Sequence, residues 1–148
     1  MQRRKSREAA LQALYQAELS GETMAGLKGR SLSGMLDMDE SGLAKASVAY
    51  GEALFKGVVD NVSLIDSLME EYSENWTIER MAVVDRNILR LAVYELTIRN
   101  DVPYKVVIDE AVELAKEFSS DESAAFINGV LDKIARDKVL KKKNAAIQ

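Results

Sequence analysis

Two kinds of side chain in this sequence could do chemistry: paired carboxylates and clustered cations. The acid pairs are Asp109-Glu110 and Asp121-Glu122, with Glu113 and Glu117 one helical turn apart. Sequence neighbours point in different directions on a helix, so neither adjacent pair forms a carboxylate dyad. Glu113 and Glu117 are like-charged and read as a solvated face. The 148 residues contain no histidine and no cysteine. That removes the commonest general base, the usual zinc ligands, disulfides and thiol nucleophiles. No glycine-rich phosphate loop is present, and no serine has a visible base. The expectation is a protein that is not an enzyme and holds no metal and no cofactor.

The cations are more informative. Arg3, Arg4, Lys5 and Arg7 crowd the start of the chain with no acid among them. Cations at a helix N-terminus run against the helix dipole, a small cost that bound phosphates would offset. The functional reading is salt-sensitive contact with a phosphate backbone. The bland reading is a solvated terminus. Further along, Phe126 lies at the edge of an apolar stripe with Lys133 two turns on. It is either core or a stacking platform for a base, with Lys133 for a phosphate. Tyr72 and Tyr15 pose the same choice. Gly129 sits inside the helix of Phe126, where it costs about 1 kcal/mol relative to Ala. That predicts close approach by a neighbouring helix or a ligand.

The elements that must position these residues are helices. Leu11, Leu14, Tyr15 and Leu19 make one stripe of a helix over about 4–19, ended by Ser20-Gly21. Residues 21–42 hold five of the eight glycines and read as a loop around one short helix. Helix resumes near Leu43 and runs to about Asp60. Ser63 and Asp66 have capping-box spacing for a helix carrying Ile65, Leu68, Met69 and Tyr72. Asn75-Trp76-Thr77 is a boundary with Thr77 as cap, and a long helix follows from about Met81 to Arg99. Pro103, the only proline, stops it and opens the next helix near Tyr104. Val107, Ile108, Ala111, Leu114, Ala115 and Phe118 form one face there. Ser119, Ser120 and Asp121 cap the last helix, which carries Phe126, Ile127, Val130, Leu131 and Ile134.

The expected fold is all-α, six or seven helices in two packed subdomains of one domain, about 1–76 and 77–140. A basic tail, 141–148, with Lys141-Lys142-Lys143, reads as frayed. Net charge is −4, with +4 in residues 1–7, −12 in 8–131 and +4 in 132–148. An acidic body with basic ends suits a short single-stranded RNA held locally and not a coating of DNA. No apolar run approaches the roughly 18–20 residues of a membrane span, and no secretion signal is visible. A cytoplasmic protein without a membrane is expected.

Four segments resemble the NusB family: RRKSREAALQALYQAEL at 3–19, ILRLAVYEL at 88–96, DVPYKVVIDEAVELAKEF at 101–118 and FINGVLDK at 126–133. The resemblance covers nearly the whole chain. It implies an all-helical antitermination factor that binds boxA RNA of nascent ribosomal transcripts. NusE, a small-subunit ribosomal protein, binds with it, and the complex joins RNA polymerase with other Nus factors. It implies RNA contact at Arg3, Arg4, Lys5, Arg7, Tyr72 and Phe126, with a one-residue adjustment of register at Tyr72. Lys5 replaces the family's arginine, keeping charge without the bidentate fork. The family's acid before the last helix falls on Glu122, where it would limit RNA affinity. Tyr15 and Asp85 fall on NusE-contacting positions, a surface expected to be distinct from the RNA surface. Alanine at all four N-terminal cations is expected to leave the fold intact.

Two other classes fit the residues less fully. A helical adaptor or homodimer would leave the basic ends incidental. An RNA-modifying enzyme would need a catalytic domain for which no residues remain.

Overall fold

The structure is a computed structural model and describes residues 3–36, 44–74 and 76–140. Seven α-helices account for most of them, and no strand occurs among the described residues: α1 (Arg3–Leu19), α2 (Leu32–Met35), α3 (Lys45–Asp60), α4 (Val62–Tyr72), α5 (Val83–Val93), α6 (Tyr104–Phe118) and α7 (Asp121–Ile134). None of the described helices is long and apolar enough to cross a membrane. The chain divides into two compact units, Met1–Val62 and Ser63–Gln148.

In the first unit α1 packs against α3. Leu11, Leu14, Leu54, Phe55 and Val58 are buried between them, while Leu19, expected in the stripe, stands exposed as the last residue of α1. The two helices come close because Gly51 has no side chain. A Cβ there would lie 3.0 Å from Leu32 Cδ2 and 3.1 Å from the Ser6 carbonyl oxygen. Buried Ser6 uses that proximity to donate its hydroxyl to the Ser47 carbonyl at 2.7 Å. Residues 21–36 hold a 3-10 turn, Ala25–Leu27, as well as α2, so the glycine-rich stretch contains two helical pieces where one was expected. The helix start expected near Leu43 lies outside the described residues, as do 37–42 and the lysine tail.

The second unit contains α4 to α7, so the division falls after Val62 and not near residue 76. An ion pair shows why α4 belongs here. Arg90 on α5 donates Nε to Asp66 Oδ1 at 2.9 Å and Nη2 to Oδ2 at 3.0 Å. Asp66 is therefore spent on a bidentate pair and forms no capping box with Ser63, which lies inside α4. The long helix expected over 81–99 is two pieces, preceded by a short turn. Thr77 precedes a 3-10 turn, Ile78–Arg80, without capping it through its side chain. α5 begins at Val83, and a π-helical turn, Tyr94–Arg99, succeeds it. Asn100 then adopts the left-handed conformation at φ 59° and ends the run, as asparagine tolerates. Pro103 stands at the N-cap of α6. Ser120 caps α7, its hydroxyl oxygen accepting the Ser123 N–H at 3.0 Å. Ile108, Ala111, Leu114, Ile127, Leu131 and Ile134 are buried at the α6–α7 contact and around it, while Phe118 is exposed.

Candidate RNA and partner surfaces

The basic cluster of the first unit is helical, because α1 starts at Arg3. Helical spacing separates its members. Arg4 and Lys5 are exposed, and Lys5 lies 3.9 Å from Glu8. Arg3 and Arg7, one turn apart, turn toward the Tyr50 ring of α3, with guanidinium carbons 4.9 and 5.8 Å from its centroid. Arg7 is only 4 % exposed, and Tyr50 likewise 4 %. Arg7 is thus a packing residue, so alanine at all four cations would not leave the fold undisturbed, contrary to expectation. Tyr15, on the same helix, is half-buried at the edge of its apolar stripe.

In the second unit three contacts join the end of α4 and the residues just after it to α7 and the π-helical turn that follows it, Ala135–Leu140. The Tyr72 hydroxyl donates to Asp137 Oδ2 at 3.0 Å, Lys133 Nζ lies 3.3 Å from Glu74 Oε1, and the Trp76 and Phe126 rings meet edge to face at 6.0 Å. The ascending order 72, 74, 76 meets the descending order 137, 133, 126, an antiparallel ladder. The sequence supports it on both sides. Positions 126, 133 and 137 share a helical face. On the other side Glu74 takes a positive φ of 35°, and the buried Ser73 hydroxyl donates to the Trp76 carbonyl at 2.9 Å. Tyr72, Phe126 and Lys133, singled out from sequence, are brought together here. Burial and the Asp137 carboxylate push the Tyr72 phenol up to about 12, with Glu71 adding negative charge. The phenol is therefore a fixed donor at neutral pH.

Phe126 is half-buried, between core and surface. It lines a cavity of about 410 Å³ with Trp76, Arg80, Met81, Asp85, Glu122 and Ser123 among its walls. Asp85 sits in the first turn of α5, is 8 % exposed, and accepts the Ser123 hydroxyl at 2.7 Å. Its other oxygen, Oδ1, is buried without a hydrogen-bond partner among the described residues. Glu122, in the first turn of α7, is exposed. Asp85 therefore shares one cavity with Glu122 and Phe126, and the expected separation of its surface from theirs does not hold. Gly129 is exposed, and nothing lies within 4 Å of a Cβ built there, so no neighbouring helix explains this glycine.

Sequence reasoning passed over Trp76 and Arg80, which also line the cavity. The available signal was the chain's sole tryptophan in a turn, outside any apolar stripe that would bury it.

A basic first helix and an aromatic cavity with cations beside it, on an all-helical scaffold, are features of a nucleic-acid-binding helical module. The NusB family model matches residues 4–136. The transcription antitermination protein NusB of Geotalea daltonii is 50 % identical over 137 residues, covering 90 % of this chain and 93 % of that protein. The protein of the same name from Thermodesulfovibrio yellowstonii is 38 % identical over 98 % of this chain and 99 % of its own. Among solved structures, T. maritima NusB superposes with a TM-score of 0.81 at 38 % identity, covering 98 % of both chains. A chain of the crystal structure of antitermination factors NusB and NusE in complex with dsRNA gives 0.77 at 28 % identity, covering 92 % of this chain and 98 % of that one. The chain belongs to the NusB family.

Proposed function

We infer that this chain is a transcription antitermination factor. It binds the boxA element of nascent ribosomal RNA together with NusE, and enters the RNA polymerase elongation complex with other Nus factors to suppress termination. It works in the cytoplasm and by binding alone, with no bond made or broken. The observation that carries this reading is the ladder of the second unit. It gathers Tyr72, Phe126 and Lys133 beside a cavity that Glu122 also lines, on a chain whose relatives are antitermination proteins. Phe126 supplies a ring for base stacking, and Lys133 a cation whose exposed pair with Glu74 is weak enough to yield to a phosphate. Arg3, Arg4, Lys5 and Arg7 supply the salt-dependent term from the first unit. Tyr15 and Asp85 contact NusE, a basic protein for which an acid is a complementary charge.

The test is titration of the full chain with a labelled boxA RNA at several salt concentrations, with and without NusE. Binding that falls with salt and tightens with NusE is expected. No binding in either arm overturns the reading.

A further inference from the structure

Trp76 is anomalous for a large ring in a folded protein. It is 49 % exposed, although burying a tryptophan is among the larger apolar gains available. It is also held. The Ser73 hydroxyl pins its carbonyl at 2.9 Å, and the Phe126 ring meets it edge-on with 61° between planes. An exposed aromatic fixed in place is a pre-organised surface and not a loose one. Arg80 follows one turn later and lines the same cavity. It too is exposed, and nothing among the described residues pairs with its guanidinium. Its backbone is fixed, since its N–H bonds to the Thr77 carbonyl at 3.1 Å. The cavity thus presents a half-exposed ring, a cation that no described residue pairs with, an exposed acid in Glu122 and the buried Asp85 carboxylate.

We propose that Trp76 and Arg80 form a subsite for one unpaired nucleotide of the bound RNA, its base stacked on the indole and its phosphate held by the guanidinium. This rests on the RNA-binding reading above and extends it to two residues outside it. A nucleotide is the ligand that supplies both a flat neutral ring and one negative charge. Asp85 and Glu122, which line the same cavity, are the groups a basic partner would meet, whereas the indole and Arg80 suit a base and its phosphate. Glu122 repels phosphate, which directs the backbone to the Arg80 side. Stacking needs only a π face, so the subsite accepts any base.

Trp76 is the only tryptophan, so tryptophan emission of the full chain reports this subsite alone. A single-stranded boxA RNA is titrated while its anisotropy, through an end label, and the protein emission are followed together. Both signals should saturate at one Kd, with emission quenched. Trp76→Ala should weaken binding about 5- to 100-fold, and Trp76→Phe should restore most of it. Arg80→Gln, an exposed change, should reduce the slope of log Kd against log salt by about 0.7. If anisotropy rises while emission stays constant, the subsite is wrong and RNA binding stands. If anisotropy never rises, the RNA reading itself fails. Emission that responds to the basic ribosomal partner but not to RNA assigns the ring to protein contact and overturns the proposal. Should Trp76→Ala lose its helical circular dichroism, wild-type emission and the Arg80→Gln slope decide.

Discussion

Tyr72 and Asp137, 65 residues apart, are joined by a hydrogen bond of 3.0 Å in which the phenol donates to the carboxylate. The bond closes one end of the ladder, between the last residue of α4 and the π-helical turn after α7, and it has a pH signature. The folded chain keeps the phenol protonated up to about 12, against an ordinary value of 10.0. A raised acid constant means that the folded state favours the protonated form. The stabilisation is complete below pH 10 and is lost as pH rises toward 12. Tyr72 should ionise late in a tyrosinate absorbance titration. Tyr72→Phe should abolish that late step and leave stability less dependent on pH in that interval. A late step that persists in Tyr72→Phe would assign it to another phenol.

The four cations of α1 should separate into two pairs. Arg7→Ala removes a buried side chain from the face of Tyr50, and cation–π contacts of this kind contribute about 0.5–2 kcal/mol, so its melting temperature should fall. Arg4→Ala and Lys5→Ala should leave the melting temperature nearly unchanged. Each should lower the salt slope of RNA binding by about 0.7 if it meets a phosphate. Equal thermal effects at Arg4 and Arg7 would contradict the burial difference.

Asp85→Asn keeps the shape of a side chain that accepts the Ser123 hydroxyl and removes its charge. Binding of NusE should weaken, with the helical content intact. RNA binding by the chain alone should change as well, because Asp85 and Phe126 line one cavity. Isothermal titration with each ligand in turn checks both statements. Normal NusE affinity in Asp85→Asn would return this residue to a helix-end charge.

Glu122→Gln removes an exposed negative charge beside Phe126. At a few ångströms in water a unit charge is worth about 1 kcal/mol, so RNA affinity should rise about fivefold at low salt. The gain should shrink as salt is added. Weaker binding would make Glu122 a hydrogen-bond acceptor for RNA and not a source of repulsion.

Two glycines should respond in opposite ways to alanine. At Gly129 nothing stands within 4 Å of the new carbon, and helix propensity then favours Gly129→Ala by about 0.5–1 kcal/mol. At Gly51 the new carbon would press on Leu32 and on the Ser6 backbone, so Gly51→Ala should destabilise through overpacking, by about 1–3 kcal/mol. Denaturant melts of the two variants test the pair.

The helical skeleton was legible because its signals are local. Pro103, Asn100 and Ser120 act through their own backbone or cap geometry, and the apolar spacing of α6 and α7 needs no partner to be read. What failed depended on distant residues. Asp66 looked like half of a capping box until Arg90, 24 positions away, claimed both its oxygens. Arg7 looked solvated because Tyr50 lies on another helix. Gly129 suggested a neighbouring helix or a ligand, and no described helix stands close to it. The residues matched to the family at the second unit do converge, and that came from motif spacing and not from chemistry visible in any one of them. Trp76 was missed because a ring outside every stripe reads as punctuation until its surroundings are known.

If Asp85 holds NusE and Phe126 holds RNA, the cavity they share with Glu122 makes the two binding equilibria interdependent. A protein held at Asp85 and an RNA held at Phe126 would occupy adjoining walls a few side chains apart. Reciprocity then requires that the factor by which the protein changes RNA affinity equal the factor by which RNA changes protein affinity. Closing this thermodynamic square needs no change of shape, only a coupling free energy carried by those walls. A substitution at Glu122 would alter that coupling while touching neither ligand's own anchor, and the order in which the two ligands arrive would leave the final state unchanged.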